Sequence, residues 1–214
     1  MCSRYFLDAD GNVIAYTFRV PVNDRIQKRF NIAPTQQAPV IRAGRDGALE
    51  AAMLRWGLAP FWAPDLKIGA KLINARSETV AEKPAFREAF RRRRCVVPAS
   101  GYFEWTGEPK YRVPHAITVE GRPLLPFAGL WESWRDSSGA TIETYTILTT
   151  PANPFVSGMH DRMPAILEDG DVETWIRGSA EEAARLIKPY AAQSMREHAV
   201  TRELNLPTFE APFE

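Results

Sequence analysis

The fold is decided by residues 111–150, which read YRVPHAITVEGRPLLPFAGLWESWRDSSGATIETYTILTT. β-Branched and aromatic residues dominate three runs in this stretch, Tyr111 to Val119, Leu124 to Trp131 and Thr141 to Thr150, and such runs favour β-strands. Turn-forming residues separate the runs, at Glu120-Gly121 and from Asp136 to Gly139. We therefore expect three strands that pair successively and antiparallel.

Strand signals continue towards the N-terminus. Gln37 to Arg42 and Leu49 to Trp56 are predicted strands, joined by a hairpin at Asp46-Gly47. Cys95 to Pro98 is a predicted short, buried strand, in which Cys95 serves as a small apolar residue. Val13 to Val20 fits either a strand or a short helix.

Helical signals lie outside these strands. Apolar residues repeat at helical spacing within Lys83 to Arg94, so that segment is a predicted helix with arginines in its last turns. Asp171 to Arg177 and Ser179 to Tyr190 are predicted helices, and Ser179 with Glu182 forms a capping box at the start of the second. The fold class is α+β, with mostly antiparallel strands in a barrel-like or two-sheet core and flanking helices.

Length and composition narrow the class of protein. The 214 residues suit a single domain, 1–214, and 45% hydrophobic with 25% charged residues is ordinary for a soluble globular protein. No apolar run is long enough to span a bilayer. The two cysteines, Cys2 and Cys95, provide neither a disulfide framework nor metal-ligand spacing. We expect a cytoplasmic protein that needs no cofactor.

Cys2 offers unusual chemistry if Met1 is removed. Small second residues permit that removal, which would leave Cys2 with a free α-amine beside its thiol. The amine condenses with an aldehyde to an imine, and the thiol then closes on the imine carbon to form a thiazolidine ring. Both groups have ordinary pKa values near ~8 to 8.5, so both are reactive near neutral pH. Alternatively, Cys2 is incidental in a frayed terminus.

Three polar positions stand out against apolar surroundings. Asn74 lies in the polar cluster Ile73 to Thr79, which is either an inward-facing site or the cap of a following helix. Glu104 lies between Phe103 and Trp105, where its pKa would be raised, unless strand alternation turns it to water. His160, followed by an aspartate and an arginine, is a better acid–base candidate than the other two histidines.

Aromatic and basic segments bear on nucleic-acid binding. Trp56 and Trp62 lie in a proline-rich loop, where Trp56 is expected in the core and Trp62 is either a core residue or a stacking platform for bases. The run Arg91 to Arg94 suits a solvated helix end better than a phosphate site. The net charge of +1 gives no broad basic face.

Five separated segments together resemble the SRAP family, the SOS-response-associated peptidases or abasic site processing proteins. They are Cys2, Asn31 to Pro34, Ile73 to Glu78, Gly101 to Trp105 and His160 to Pro164. The resemblance runs from Cys2 to about Leu167. It implies a protein that senses and shields abasic sites in single-stranded DNA through a thiazolidine crosslink, with possible lyase-like and self-cleaving peptidase activities.

The resemblance also implies roles for single residues. Cys2 would be the nucleophile, Asn74 would hold the terminal amine and the sugar, and Glu104 and His160 would move protons. Phosphate and base contacts are implied for the following residues: Arg4, Trp62, Arg76 and Arg162. The expected partner is single-stranded DNA containing abasic sites, bound by a monomer that does not associate with membranes and that lies at the nucleoid if bacterial.

Two other functions are compatible with the residues alone. One is an N-terminal-nucleophile amidohydrolase, in which Cys2 attacks an amide and its own amine is the base. The other is a non-covalent reader of single-stranded or modified DNA, in which Cys2 plays no part. An amidohydrolase would release its product without DNA, and a reader would tolerate Cys2→Ala.

Overall fold

The computed structural model describes residues 2–108 and 111–213, and its strands form two sheets. In chain order the strands are β1 (Tyr5–Leu7), β2 (Arg29–Ile32), β3 (Gln37–Ala43), β4 (Leu49–Trp56), β5 (Asn74–Arg76), β6 (Arg94–Ala99), β7 (Gly101–Thr106), β8 (Val113–Val119), β9 (Leu125–Arg135), β10 (Thr141–Pro151), β11 (Arg162–Pro164) and β12 (Met195–Ala199). The helices are α1 (Gly11–Phe18), α2 (Arg87–Arg92), α3 (Val172–Arg177) and α4 (Ala180–Leu186), with short 3-10 helices at Leu66–Lys71, Val156–Gly158, Asp169–Asp171 and Arg202–Asn205.

The larger sheet closes on itself. Its strands follow the order β10-β4-β3-β6-β9, and β9 pairs back with β10 to complete a five-stranded barrel. β5 and β11 add to β10 outside that path. The smaller sheet has the order β12-β8-β7-β1-β2. Most pairings are antiparallel, so the expected α+β fold with a barrel-like, two-sheet core is confirmed.

The chain passes from the barrel to the smaller sheet between β6 and β7. Only Ser100 separates these strands, and Gly101 then lies so close to its neighbours that a Cβ there would be 2.5 Å from the carbonyl oxygen of Ile117. It would also meet the ring of Phe6 at 2.7 Å. Glycine therefore allows β7 to pack tightly against its neighbours, which fixes the position of Glu104 further along the same strand.

The strand predictions are largely confirmed, with one error of pairing. β9 and β10 pair antiparallel as expected, but β8 pairs with β7 and β12 and lies in the other sheet from β9. A β-bridge joins Val119 to Arg122 at the end of β8. The next residue, Pro123, has no backbone N–H to continue the pairing, and the chain crosses from there to the barrel. The turn residues between β8 and β9 correctly predicted where one strand ends and the next begins. They did not predict that the two strands belong to different sheets.

The helices are shorter than their sequence patterns suggest. The predicted helix Lys83 to Arg94 is regular only from Arg87 to Arg92, because turns precede it and Arg94 already belongs to β6. The guanidinium of Arg94 is buried and donates to the carbonyl oxygens of Trp175 and Phe90, at 2.5 and 2.6 Å. Arg94 is thus not part of a solvated helix end.

The remaining helix predictions can be placed in the same way. The ambiguous segment after Asp10 is helix α1, and Asp10 caps it by accepting hydrogen bonds from two backbone N–H groups. The helix predicted from Ser179 ends at Leu186, because Ile187 is extended, while its capping box of Ser179 and Glu182 is confirmed. None of the described helices has the length and apolar character needed to cross a bilayer.

Aromatic residues fill the space where the two sheets meet. Tyr5 of β1 packs edge-on against Trp56 of β4, with ring centroids 5.2 Å apart, and its hydroxyl lies 2.7 Å from that of Tyr145 on β10. Tyr102 of β7 packs against Phe127 of β9. The expected core position of Trp56 is confirmed. This packing fixes the start of β1, and with it Cys2, against the barrel.

Candidate active site

Cys2 is a buried residue at the junction of the two sheets. Its side chain is fully buried in the main hydrophobic cluster, and its Sγ lies 3.8 Å from the carbonyl oxygen of Arg4. The backbone N–H of Phe103 in turn donates to that same carbonyl at 3.0 Å. The interpretation of Cys2 as part of a frayed terminus is therefore wrong, although Met1 itself lies outside the described residues.

Asn74 connects the N-terminal segment to the barrel. It begins β5, which runs parallel to β10, and its side-chain Nδ2 donates to the carbonyl oxygen of Cys2 at 2.8 Å. Its Oδ1 is buried and accepts no hydrogen bond from the described residues. No helix follows directly, so the alternative of a helix cap is excluded. Asn74 holds Cys2 and leaves one polar atom directed into the site.

Glu104 is the buried acid nearest to Cys2. The antiparallel register of β1 and β7 pairs Tyr5 with Tyr102, and extending it places Ser3 opposite Glu104. Only 3% of Glu104 is exposed, so the alternative in which it faces water is wrong. The pKa of Glu104 is raised to about 7, mainly by burial; the charge of Asp161 acts in the same direction, and that of Arg112 opposes the rise. A carboxyl group with such a pKa exchanges protons readily at neutral pH.

The thiol of Cys2 is held in its neutral form. Burial raises its pKa far above the ordinary value, and the negative charge of Glu104 adds to the effect. A buried thiol of this kind does not become a thiolate spontaneously near pH 7. For the thiol to react, either a base must remove its proton during the reaction or a positive charge must form beside the sulfur and favour the thiolate.

His160 lies where the chain enters β11. Its Nδ1 lies 2.9 Å from the backbone N–H of Arg162, from which it can accept a hydrogen bond. Burial lowers the pKa of His160, with the charge of Arg162 acting in the same direction and that of Asp161 against it. Asp161 lies 2.8 Å from Nδ1, but it is largely exposed and its attraction is weakened by solvent. His160 is therefore a neutral imidazole near pH 7.

Arg162 is buried and already carries a counter-charge. Its Nη1 is hydrogen-bonded to Oε1 of Glu78, and its Nη2 lies 2.9 Å from Oε2 of the same carboxylate. Nη2 also donates to the carbonyl oxygen of Thr149 at 2.6 Å. These hydrogen bonds lower the pKa of Glu78 to about 2. The sequence pattern assigns no role to Glu78, because its partner Arg162 lies 84 residues further along the chain.

Arg4 and Arg76 differ from Arg162 in lacking such a partner. Arg76 ends β5 with an exposed side chain. Arg4 is half-buried, its Nε has no hydrogen-bond partner among the described residues, and burial lowers its pKa. No salt bridge within residues 2–108 and 111–213 involves either guanidinium. Both arginines are therefore available to an anionic ligand.

Trp62 lies on a well-anchored loop after β4. The loop is held by a hydrogen bond from the indole of Trp134 to the carbonyl of Ala63, at 2.7 Å, and by one from the backbone of Ala59 to Thr144, at 3.0 Å. The ring of Trp62 is 50% exposed, and so is much of Phe61 beside it. Of the two alternatives for Trp62, the core position is excluded, and the fixed, exposed ring can stack on a base.

The described residues offer no obvious place for a metal. No group of three or more His, Cys, Asp or Glu side chains in residues 2–108 and 111–213 is arranged to hold an ion.

Known proteins similar to this chain point to one family. A family model described as SOS response associated peptidase (SRAP) matches residues 1–207. The chain belongs to the SRAP family. The match extends beyond residue 168, where the sequence resemblance was thin, and includes β12 and the 3-10 helix Arg202–Asn205.

Individual SRAP relatives cover most of the chain. The abasic site processing protein YoqW of Bacillus subtilis is 36% identical over 220 residues, covering 99% of this chain and 97% of that protein. The abasic site processing protein HMCES of Xenopus tropicalis is 31% identical and covers 86% of this chain and 64% of that protein. A crystal structure of a protein from Bacteroides thetaiotaomicron is 29% identical with a TM-score of 0.87, covering 94% of this chain and 93% of that one.

Proposed function

We propose that this SRAP protein senses abasic sites in single-stranded DNA and shields them by a covalent thiazolidine link to Cys2, after removal of Met1. The observation that carries the proposal is that Cys2 is fixed in position beside Glu104, an acid whose pKa is raised to near neutrality. Asn74 binds the carbonyl of Cys2, and Glu104, with a pKa of about 7, lies close enough to raise the pKa of the Cys2 thiol. The names of YoqW and HMCES support the choice of abasic DNA as substrate.

The reaction would proceed in three steps. Glu104 transfers a proton to open the sugar hemiacetal to its aldehyde. The α-amine of Cys2 adds to the aldehyde carbon, and loss of one water gives an imine. Glu104, with a pKa of about 7, supplies the proton to the departing oxygen, and the neutral ring of His160 can accept the proton that the amine loses. The thiol then adds to the imine carbon, forming the C–S bond, while its proton passes to the ring nitrogen. One water is released overall, and no oxidant or cofactor is consumed.

The order of these steps follows from the environment of Cys2. Its thiol stays protonated at first because it is buried beside the negative charge of Glu104. A protonated imine would place a positive charge next to the sulfur, which favours the thiolate. The amine therefore reacts first, and thiol attack completes the ring. A lyase-like elimination would start from the same imine, and any peptidase activity would be limited to release of Met1.

Binding of the strand would use general rather than base-specific contacts. Arg4 and Arg76 have no counter-charge among the described residues and suit phosphates, while Trp62 suits stacking. Arg162 would reach a phosphate only by giving up Glu78, so its main contribution would be to hold the site together.

The proposal is tested by incubating the protein with uracil-excised single-stranded DNA and separating the products under denaturing conditions. We expect a stable adduct with the wild type and with Cys95→Ala, the matched change at the other buried cysteine, but none with Cys2→Ala. Cys2→Ser keeps the amine, so an imine should be trapped by borohydride. Adduct formation by Cys2→Ala at the wild-type rate would exclude the proposal, and reversible binding without any adduct would favour a non-covalent reader.

A further inference from the structure

A cavity opens beside the N-terminal segment, on the side of Arg4. It has a volume of about 310 Å³ and is lined by Ser3, Arg4, Trp105, Tyr111, Arg112, Arg202 and Asn205. A site of this size is at the lower end of the range for small ligands. Ser3 is the neighbour of Cys2, so the cavity adjoins the proposed reaction centre.

Three guanidinium groups give this cavity a positive charge. Arg4, Arg112 and Arg202 all contribute to its walls, and none has a salt bridge with another residue in the described parts of the chain. Arg112 lies close enough to Glu104 for its positive charge to lower the pKa of that carboxyl group. Several unpaired arginines around one concave surface favour an anion, and guanidinium groups bind phosphate oxygens with particular strength.

Aromatic side chains form the rest of the wall. The indole Nε1 of Trp105 donates to Oδ1 of Asn205 at 2.8 Å, which fixes the ring. Tyr111 is 59% exposed. A phosphate bound to the arginines would therefore lie next to rings on which the attached base could stack.

The C-terminal segment that closes this cavity is firmly held. Leu204 is buried in a cluster with Phe6 and Phe103, and its carbonyl oxygen accepts a hydrogen bond from the side chain of Asn31 at 3.2 Å. Asn31 also donates to the carbonyl of Leu206 at 2.9 Å. Arg202 and Asn205 are thus presented from a fixed scaffold, which suits a binding site better than a mobile tail does.

From this placement we infer that the cavity binds the nucleotide next to the lesion, with its phosphodiester on Arg112 and Arg202 and its base against Trp105 and Tyr111. The inference rests on the proposed function, since it assigns a position to a flanking nucleotide of the same strand. It gives the C-terminal segment a direct role in substrate binding. It also predicts that one neighbour of the abasic residue contributes more to capture than the other.

The test measures crosslinking rates at subsaturating DNA with three strands that carry a chemically unmasked abasic residue. In one strand the residue is internal, in the second it is the 5′-terminal residue, and in the third it is the 3′-terminal residue. With the wild type, we expect loss of one of the two flanks to slow crosslinking about 10-fold and loss of the other to have a smaller effect. With the double variant Arg112→Gln/Arg202→Gln, we expect the internal lesion to react about 10-fold more slowly, with little further loss when the critical flank is absent.

The matched control is Arg45→Gln/Arg177→Gln, which removes the same charge at the β3–β4 hairpin and in α3. It should retain the wild-type dependence on flanks. Equal slowing of the Arg112/Arg202 variant on all three strands would overturn the subsite, because the arginines would then act only through general charge, and an unchanged rate would overturn it as well. Absence of any adduct with the wild type would instead refute the proposed function.

Discussion

The side-chain amide of Asn74 donates a hydrogen bond to the backbone carbonyl of Cys2, with 2.8 Å between Nδ2 and the oxygen. This contact joins β5 of the barrel to the segment that leads into β1 of the smaller sheet. It fixes the residue that would carry the reactive amine, without occupying either of its reactive atoms. Positioning of this kind lowers the entropy that a reaction must lose to reach its transition state.

Asn74→Ala should therefore slow crosslinking with little effect on DNA affinity. One hydrogen bond contributes a net of about 0.5–1.5 kcal/mol, and 1.4 kcal/mol corresponds to about tenfold in rate. We expect a reduction of about 2- to 12-fold in single-turnover crosslinking, while binding of undamaged single strands changes less than about 2-fold. Asn74→Asp, which keeps the size but loses the donor, should behave similarly. A wild-type rate for both variants would remove Asn74 from the mechanism.

Glu104 should give both the rate and the stability a pH dependence near neutrality. Its pKa in the folded protein is raised from 4.5 to about 7, so the folded state binds more protons than the unfolded state between these values. The free energy of unfolding should then fall as pH rises from about 5 to 7, and Glu104→Gln should remove that fall. The same variant should crosslink ~10²–10⁴-fold more slowly. Denaturant unfolding at pH 5 and pH 8, and rates over the same range, measure both effects; identical pH profiles in wild type and variant would contradict the assignment.

The ion pair of Glu78 and Arg162 should contribute to stability in the opposite pH range. The pKa of Glu78 is lowered to about 2, so its contribution is complete above about 4.5 and is lost as pH falls towards 2. Glu78→Gln should be less stable than the wild type at pH 6 and should approach it at pH 3. Glu173→Gln, which removes an exposed acid from a surface pair with Arg177, is the control and should change little at either pH. A constant difference between Glu78→Gln and the wild type at all pH values would exclude this linkage.

The arginines should separate into two classes by salt dependence. Arg76 is exposed without a counter-charge among the described residues, whereas Arg162 is buried against Glu78. For single-stranded DNA, removing one arginine–phosphate interaction lowers the magnitude of the salt slope by about 0.7. Arg76→Ala should show this change with unaltered stability, while Arg162→Ala should mainly lower the melting temperature. A full change of salt slope in Arg162→Ala at unchanged stability would restore Arg162 as a phosphate ligand.

The sequence was sufficient to identify two polar residues that lie beside Cys2 in the fold, because polar residues in apolar surroundings are costly unless they have partners. Glu104 between two aromatic residues and Asn74 after an apolar pair are such positions, and the structure places both beside Cys2. Alternating β-branched and aromatic residues likewise predicted β8, β9 and β10. These properties are encoded within a few neighbouring residues.

Partners distant in the sequence could not be predicted in this way. The pairing of Arg162 with Glu78 depends on β5 and β11 both lining β10, and the sheet change between β8 and β9 depends on barrel closure. The position of Arg202 beside Arg4 could not be predicted either, because it requires docking of the C-terminal segment on Asn31. These three features depend on how distant segments are arranged in the fold, and the periodicity of a short segment carries no information about that arrangement.

The state of the N-terminus provides the sharpest test of the chemistry. If the product is a thiazolidine, the α-nitrogen of Cys2 is one of its ring atoms, and an amide nitrogen cannot take that place. A single glycine before Cys2 would turn this amine into an amide and move the new amine too far from the thiol to close a five-membered ring. We therefore expect an uncleavable N-terminal extension to abolish the adduct while binding to undamaged single strands persists.

The comparison is made within one preparation. A protease-removable tag that leaves Cys2 as the first residue should restore the adduct on cleavage, and a C-terminal tag should have no effect on it. Intact-mass measurement of the untagged protein should show loss of Met1, since retention of Met1 would block the same nitrogen. Equal adduct yields before and after tag removal would rule out the thiazolidine. Such a result would mean that the thiol reacts without the α-amine.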